Sequence, residues 1–251
     1  MEKDQAATKT LESFYKLHQK VALLFSGGKD RLALLYLAKP WWDRTYVVWV
    51  NTQCNFPEMH RFMEHIQRMV PHFIEVKSNT LKYINTYGFP SDVVVSEQAD
   101  GAAYAGEGTP QMCSKFECCQ HNLWRPIWEF MKSTDATGFL KGQKYTDYLR
   151  APWVDKFNIG DKKLELAYPI ADWTDEDVRR YLACQSVEID ERLRLPHSSL
   201  DCWCCTAYWD QMKSRLKYME RHHPDKAVYV KSVVARIKDA VKGELTKLEE
   251  V

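Results

Sequence analysis

Along its first eighty residues the chain alternates short unbroken apolar runs with longer segments whose apolar residues recur at helical spacing. Leu11, Phe14, Tyr15 and Leu17 fall broadly on one side of a helix over residues 8–19. Val21-Ala22-Leu23-Leu24-Phe25 then runs without a polar residue, the pattern of a strand covered on both faces. It stops at Ser26-Gly27-Gly28, and Leu32, Leu34, Leu35 and Leu37 resume the helical rhythm until Pro40. Tyr46-Val47-Val48-Trp49-Val50 reads as a second buried strand, 57–70 as an amphipathic helix, and Phe73-Ile74-Glu75-Val76 as a short third strand.

Further on, the polar stretch 97–111 holds three Gly and one Pro, so 88–120 reads as a long functional loop or lid. Helix is expected to return over 120–133, a strand to start at Gly138-Phe139-Leu140, and a capped helix to fill 174–184. There Thr174 is the N-cap and Asp177 its capping-box partner. A C-terminal helix over about 227–249 repeats Val230, Val234, Ile237, Val241, Leu245 and Leu248. Strands alternating with helices at this spacing predict an α/β fold, a doubly wound and mostly parallel sheet flanked by helices, with a C-terminal helical region. With no internal repeat or dividing linker, residues 1–251 read as a single domain whose cysteine-bearing segments are 113–119 and 202–205.

Composition narrows the function. The 35 Lys and Arg against 34 Asp and Glu leave a formal charge of +1, which argues against a charge-driven nucleic-acid binder. The ten basic against six acidic residues of 211–251 read as a solvated helical face, with nucleic acid a weakly supported partner. No stretch approaches the ~20 apolar residues of a membrane span, and the polar first residues do not resemble a secretory leader. A cytoplasmic protein is expected. Eight cysteines in that compartment suggest metal or redox chemistry ahead of disulfides.

Ser26-Gly27-Gly28-Lys29-Asp30 lies where a buried strand passes into a helix. Unpaired N–H groups and the positive end of the helix dipole favour phosphate there, glycines let the backbone come close, and Lys29 adds a cation. An ordinary glycine turn is the alternative, and the pattern is not a Walker loop because Asp30 follows Gly-Lys. The run Val21 to Leu35 resembles the PP-loop of the adenine-nucleotide hydrolase-like superfamily, typically Ser-Gly-Gly-Lys-Asp-Ser, with Arg31 in place of the last Ser. Four later blocks resemble segments of phosphoadenylyl-sulfate reductases, in the same order. They are Asn51-Thr52-Gln53-Cys54-Asn55-Phe56-Pro57-Glu58, with Asn51 where that family has Asp; Gly142-Gln143-Lys144 with Asp147 and Arg150; Tyr168 to Val178; and Ser199-Leu200-Asp201-Cys202 with Cys205-Thr206.

Cys118-Cys119 and Cys202-x-x-Cys205 supply four thiols in two groups. Four thiolates satisfy a [4Fe–4S] cluster or a structural Zn²⁺ ion, and unligated thiols remain a third reading. Cys113 and Cys204 are close enough in sequence to substitute as ligands. The arrangement resembles the iron–sulfur branch of the adenylyl-sulfate reductases, which implies a [4Fe–4S] cluster on Cys118, Cys119, Cys202 and Cys205. That family's reductases carry a nucleophilic Cys in a C-terminal Glu-Cys-Gly-x-His tail, and no Cys follows Cys205 here. Cys54 and Cys184 are spare thiols.

The resemblance implies a nucleotide held by Ser26, Gly27, Gly28, Lys29, Asp30, Gly142, Gln143 and Arg150, with Lys29 and Asp30 as catalytic residues. ATP or adenylyl sulfate would be bound, with Mg²⁺ balancing charge in the first case. The implied reaction is adenylation of an acceptor with loss of pyrophosphate, in sulfur transfer, with a sulfur-donor protein as a possible partner. Two rivals stand beside it: a reductase whose attacking thiol comes from a partner protein, and a non-catalytic nucleotide-sensing Fe–S module.

Overall fold

A computed structural model describes residues 2–95, 111–147, 155–187 and 202–250. The apolar runs become a six-stranded sheet: β1 (Val21–Leu24), β2 (Thr45–Asn51), β3 (Phe73–Lys77), β6 (Gly138–Leu140), β7 (Lys156–Ile159) and β8 (Lys162–Ala167), in the order β3-β2-β1-β6-β8-β7. β1 is parallel to both β2 and β6, β6 is parallel to β8, and β7 runs antiparallel to β8. The expected doubly wound, mostly parallel sheet is therefore present.

Alternate residues of β1 serve opposite layers. Val21 and Leu23 join a core with α1 (Glu2–Leu17), α2 (Lys29–Leu37), α3 (Pro57–Met69) and α7 (Asp175–Cys184), where Leu11, Leu34, Met63 and Leu182 are buried. Ala22 faces a second core with Ile127 and Met131 of α6 (Arg125–Ser133) and Phe139, Leu164 and Leu166 of the sheet. Burial on both faces is why β1 carries no polar residue. The β7–β8 hairpin went unread in the sequence because one face is polar and the other is interrupted by a lysine. Lys156, Asn158, Lys163 and Glu165 share the polar face, and Phe157, Ile159, Leu164 and Lys162 the other, around the two-residue turn Gly160-Asp161.

By internal contacts the chain divides into two units. The first, residues 1–50, 57–76 and 126–194, contains nearly all of the sheet just described. The second, residues 51–56, 77–125 and 195–251, contains α4 (Thr80–Tyr87), β4 (Phe89–Ser91), β5 (Met112–Ser114), α5 (Lys115–Cys119), α8 (Trp209–His222) and α9 (Pro224–Glu249). Its core brings Phe56, Met212, Tyr218, Met219 and Val230 together. The loop expected over 88–120 is thus partly regular: β4 and β5 form a parallel pair and Ser114 caps α5 with a complete capping box. Residues 96–110, the centre of the expected lid, lie outside the described residues. No helix among the described residues is long and apolar enough to cross a membrane.

Candidate functional site

Sheet order decides where a ligand can sit. β1 lies between strands that leave it in opposite directions, β2 on one side and β6 on the other, and this switch point opens a crevice at the carboxyl ends of the two strands. The Ser26-Gly27-Gly28 turn emerges there. Gly27 has φ +77°, and a Cβ on it would stand 2.8 Å from Met59 Sδ, so a side chain is excluded twice. Gly28 is the N-cap of α2 and offers no side-chain acceptor to the first-turn N–H groups, leaving them for a ligand.

Lys29 and Asp30 open α2 inside a box of alternating charge. Lys29 Nζ lies 3.0 Å from Asp30 Oδ1 and 2.9 Å from Asp175 Oδ1, while Lys144 Nζ lies 2.9 Å from Asp30 Oδ1 and 2.5 Å from Asp175 Oδ1. Asp175 is the first residue of α7, where the helix dipole favours a carboxylate. Burial alone would raise the Asp175 pKa, but hydrogen bonds and charge from Lys144 and Lys29 hold it well below the usual carboxylate range. Burial would likewise lower Lys144, whose side chain is only 3% exposed, yet the Asp30 and Asp175 carboxylates hold it above the usual lysine value. In the sequence Lys144 and Asp175 each fall within a family-like block, and neither carries a role there. The one available signal was the basic residue two positions after Gly142. Nothing local in sequence announces a pairing between residues 146 apart.

Gly142 and Gln143 follow β6 into the same crevice. A Cβ on Gly142 would meet the Arg31 Cγ and backbone N and the Asp30 carbonyl carbon, each at 3.2 Å, so the loop after β6 lies flush on the start of α2. Gln143 is buried beside it. Of the eight residues expected to hold the nucleotide, the structure brings Ser26, Gly27, Gly28, Lys29, Asp30, Gly142 and Gln143 to one end of the sheet. Arg150 lies outside the described residues. Arg31 reaches back over the loop, its Nη1 donating to Ser26 Oγ at 2.8 Å.

The cysteines are distributed differently. Cys54, Cys113, Cys118, Cys119, Cys202, Cys204 and Cys205 all belong to the second unit, and Cys184 to the first. At the end of β2 the block from Asn51 folds into a tight turn: the Asn51 side-chain oxygen accepts the Gln53 N–H at 2.8 Å, and Asn55 Oδ1 accepts the Thr52 N–H at 3.0 Å. Gln53 takes φ +58° at its tip. The Asn51 amide thus fills an acceptor position that a carboxylate could also fill. Behind the turn, the Trp203 N–H donates to the Cys54 carbonyl at 2.9 Å, and the Cys54 and Cys204 thiols hydrogen-bond to each other in an apolar cluster with Ile84. That contact lowers Cys54 and, with burial, raises Cys204.

Cys113 donates to the Gly88 carbonyl at 3.2 Å, and its thiol, followed by burial, pushes Cys118 up. Cys119 Sγ lies 3.6 Å from the Tyr208 hydroxyl, and Cys202 Sγ donates to Thr52 Oγ1 at 3.4 Å. Burial raises Cys205 against the opposing Arg215 charge. For a thiolate-bound metal or cluster the donor chemistry fits. Cys118, Cys119, Cys202 and Cys205 lie in one unit, and those with raised pKa values are protonated thiols that a metal would convert to thiolates. The arrangement is not a closed cage, because among the described residues no three His, Cys, Asp or Glu side chains form a metal-holding group. Of the two possible substitutes, Cys113 is the partner of Cys118, while Cys204 pairs with Cys54.

Comparison with known proteins follows this geometry. Residues 20–208 match the model of the phosphoadenosine phosphosulfate reductase domain. Among solved structures, the chain is similar to phosphoadenylyl-sulfate (PAPS) reductase from Candida auris in a phosphate complex. The identity is 14% and the TM-score 0.53, over 79% of this chain and 88% of that one. It is also similar to Candida glabrata FMN adenylyltransferase in complex with FAD and inorganic pyrophosphate, at 14% identity and a TM-score of 0.45, over 72% of this chain and 56% of that one. The first likeness is one of fold. No curated protein sequence matches the chain.

Proposed function

Because the chain belongs to the phosphoadenosine phosphosulfate reductase domain family, we propose that it is an enzyme that binds an adenine nucleotide at the 26–30 loop and uses it in sulfur transfer. The reaction is ATP-dependent adenylation of an acceptor with release of pyrophosphate. The observation that carries this reading is the charge box at the β1–β6 switch point, where Lys29 and Lys144 meet Asp30 and Asp175 beside uncapped helix N–H groups. The α2 amides and Lys29 hold phosphate oxygens. Asp30 pairs with Lys29 in the free protein, and it would be the residue to hold a Mg²⁺ ion that balances the charge of bound ATP. Gln143 lines the anion end, and the resemblance implies the same role for Arg150. The family match spans segments of both units, which supports reading the chain as one functional domain, and a cytoplasmic setting accords with its cysteine usage.

The proposal includes a [4Fe–4S] cluster on Cys118, Cys119, Cys202 and Cys205, supported by the all-thiol donor set. When bound, such a cluster supplies a fixed charge for anion binding, and no step above depends on it. A second reading follows the reaction class of the matched family: reduction of adenylyl sulfate or phosphoadenylyl sulfate to sulfite, with electrons from the thiols of a partner protein. Incubating anaerobically purified protein with ATP or with adenylyl sulfate plus dithiol separates the two. Pyrophosphate appears in the first case, with water taking the acceptor's place and AMP released, and sulfite with AMP in the second, so pyrophosphate against sulfite is the distinguishing readout; Lys29→Ala abolishes either. Unchanged nucleotide binding in Lys29→Ala would remove the phosphate-loop assignment.

A further inference from the structure

The charge box leaves two cations over. Arg31 and Lys141 flank the same loop, yet among the described residues neither has a carboxylate partner, whereas Lys29 and Lys144 are each bound to two. The Arg31 stem lies against Gly142, with a hypothetical Gly142 Cβ only 3.2 Å from Arg31 Cγ, and its guanidinium turns toward Ser26 and Gly28. Lys141 precedes that glycine. Its backbone N–H is fixed to the Ala167 carbonyl at 3.0 Å, and its ammonium lies 5.9 Å from the centre of the Tyr168 ring. Burial and then the Arg31 charge make Lys141 harder to protonate.

Holding a half-buried ammonium near a guanidinium with no counter-charge is unfavourable in the free protein. An anion lying between them would offset that repulsion. Arg31 is also suited to the task, since a planar guanidinium can grip two oxygens of a phosphate or sulfate at once.

We propose that Arg31 and Lys141 form a second anion subsite beside the phosphate loop, one that selects adenine nucleotides by their anionic charge and favours those with about four negative charges over those with about two. The inference rests on the nucleotide reading above and deepens it. The loop amides and Lys29 take one anionic group, and Arg31 and Lys141 take the next. ATP and 3′-phosphorylated adenylyl sulfate, with about four negative charges at neutral pH, are thereby preferred over AMP and adenylyl sulfate, with about two. Arg31, the position at which the loop departs from its usual Ser, becomes a specificity determinant.

Calorimetric titration of the full chain with AMP, ATP, adenylyl sulfate and phosphoadenylyl sulfate tests it, using wild type, Arg31→Ser, Arg31→Lys, Lys141→Met and Lys29→Ala. Wild type should prefer ATP over AMP by at least about tenfold, the scale of one charge-assisted contact. Arg31→Ser and Lys141→Met should each reduce that ratio by about tenfold, and Arg31→Lys should retain most of it. Pyrophosphate should compete better than orthophosphate in wild type and lose that advantage in both neutral variants. If the ATP-to-AMP ratio is the same in wild type and both neutral variants, with circular dichroism confirming that they fold, the subsite is overturned while the nucleotide reading stands. If wild type binds none of the four nucleotides, the nucleotide reading fails and the subsite falls with it.

Discussion

The switch-point loop and the thiol cluster solve opposite problems with opposite means. Around Lys29, full charges of both signs hold one another in place: Asp30 and Asp175 each touch Lys29 and Lys144, and each was delivered by a strand end or a helix start that the sheet fixes. Around Cys118 the groups are neutral. Thiols hydrogen-bond to thiols, hydroxyls and carbonyls in an apolar setting that favours the protonated form. Ion pairs keep their geometry before any ligand arrives. Sulfhydryl contacts are weak, and a metal or an oxidant that removes their protons rewrites them. The first region is held in place by its own charges, and the second only by weak contacts.

Four changes would break or sharpen this contrast. The largest effect is expected at Gly27→Val. Forcing a branched residue to φ +77° costs about 1–3 kcal/mol in backbone strain before the clash with Met59 is added. Nucleotide titration should show binding lost by more than about 100-fold, and thermal melting a lowered midpoint; near-normal affinity would mean the loop is not preformed.

Next comes Lys144→Met, which leaves Asp30 and Asp175 facing each other without the buried cation. Asp175 is half exposed, so the loss in urea denaturation should be about 1–3 kcal/mol, below that of a fully buried pair. The pH profile gives a sharper reading. The stabilisation carried by the depressed Asp175 is complete above the ordinary carboxylate pKa of about 3.9 and is lost as pH falls through its lower folded value. That carried by the raised Lys144 is complete below about 10.4 and is lost as pH rises through its higher folded value. Wild type should therefore show two limbs attributable to this box, at the acid and alkaline extremes. Lys144→Met should lack the alkaline limb and show a weakened acid one.

On the thiol side, anaerobically purified wild type should contain about four iron and four sulfide per chain, and Cys118→Ser should lose most of both. Lys29→Ala should keep them. One zinc and no iron would turn the cysteines into a structural staple. The smallest effect belongs to the turn at the end of β2. Asn51→Asp retains the acceptor for the Gln53 N–H and should change stability by less than about 0.5 kcal/mol, while Asn51→Ala should cost about 1 kcal/mol.

What could be read from sequence follows the range of the interactions involved. β1 and β2 were found to within a residue or two because burial on both faces leaves an uninterrupted apolar run, and β3 because Phe73, Ile74 and Val76 are β-favouring residues in a short run. The helix at 174–184 was found through Thr174 and Asp177, three residues apart, and both capping-box hydrogen bonds are present. The glycine turn at 26–28 was found because a turn between strand and helix is a local signature. The partners of Lys29 were not, since Asp175 and Lys144 reach it only through strand order. The thiol pairs Cys54–Cys204 and Cys113–Cys118 escaped notice too, because spacing reveals which cysteines are near in sequence and not which the fold makes neighbours.

The position of β1 in the sheet also sets a timetable. One of its neighbours, β2, follows within about two dozen residues, but the other, β6, is made more than a hundred residues later. Asp30 and Lys144 stand 114 residues apart, an interval that takes on the order of ten seconds to emerge at ~5–20 residues per second of synthesis. Throughout it the nascent chain exposes one side of β1 as an open edge and carries Lys29 and Asp30 without Lys144 or Asp175. The loop at 26–30 is among the first segments to leave the ribosome and among the last to be finished.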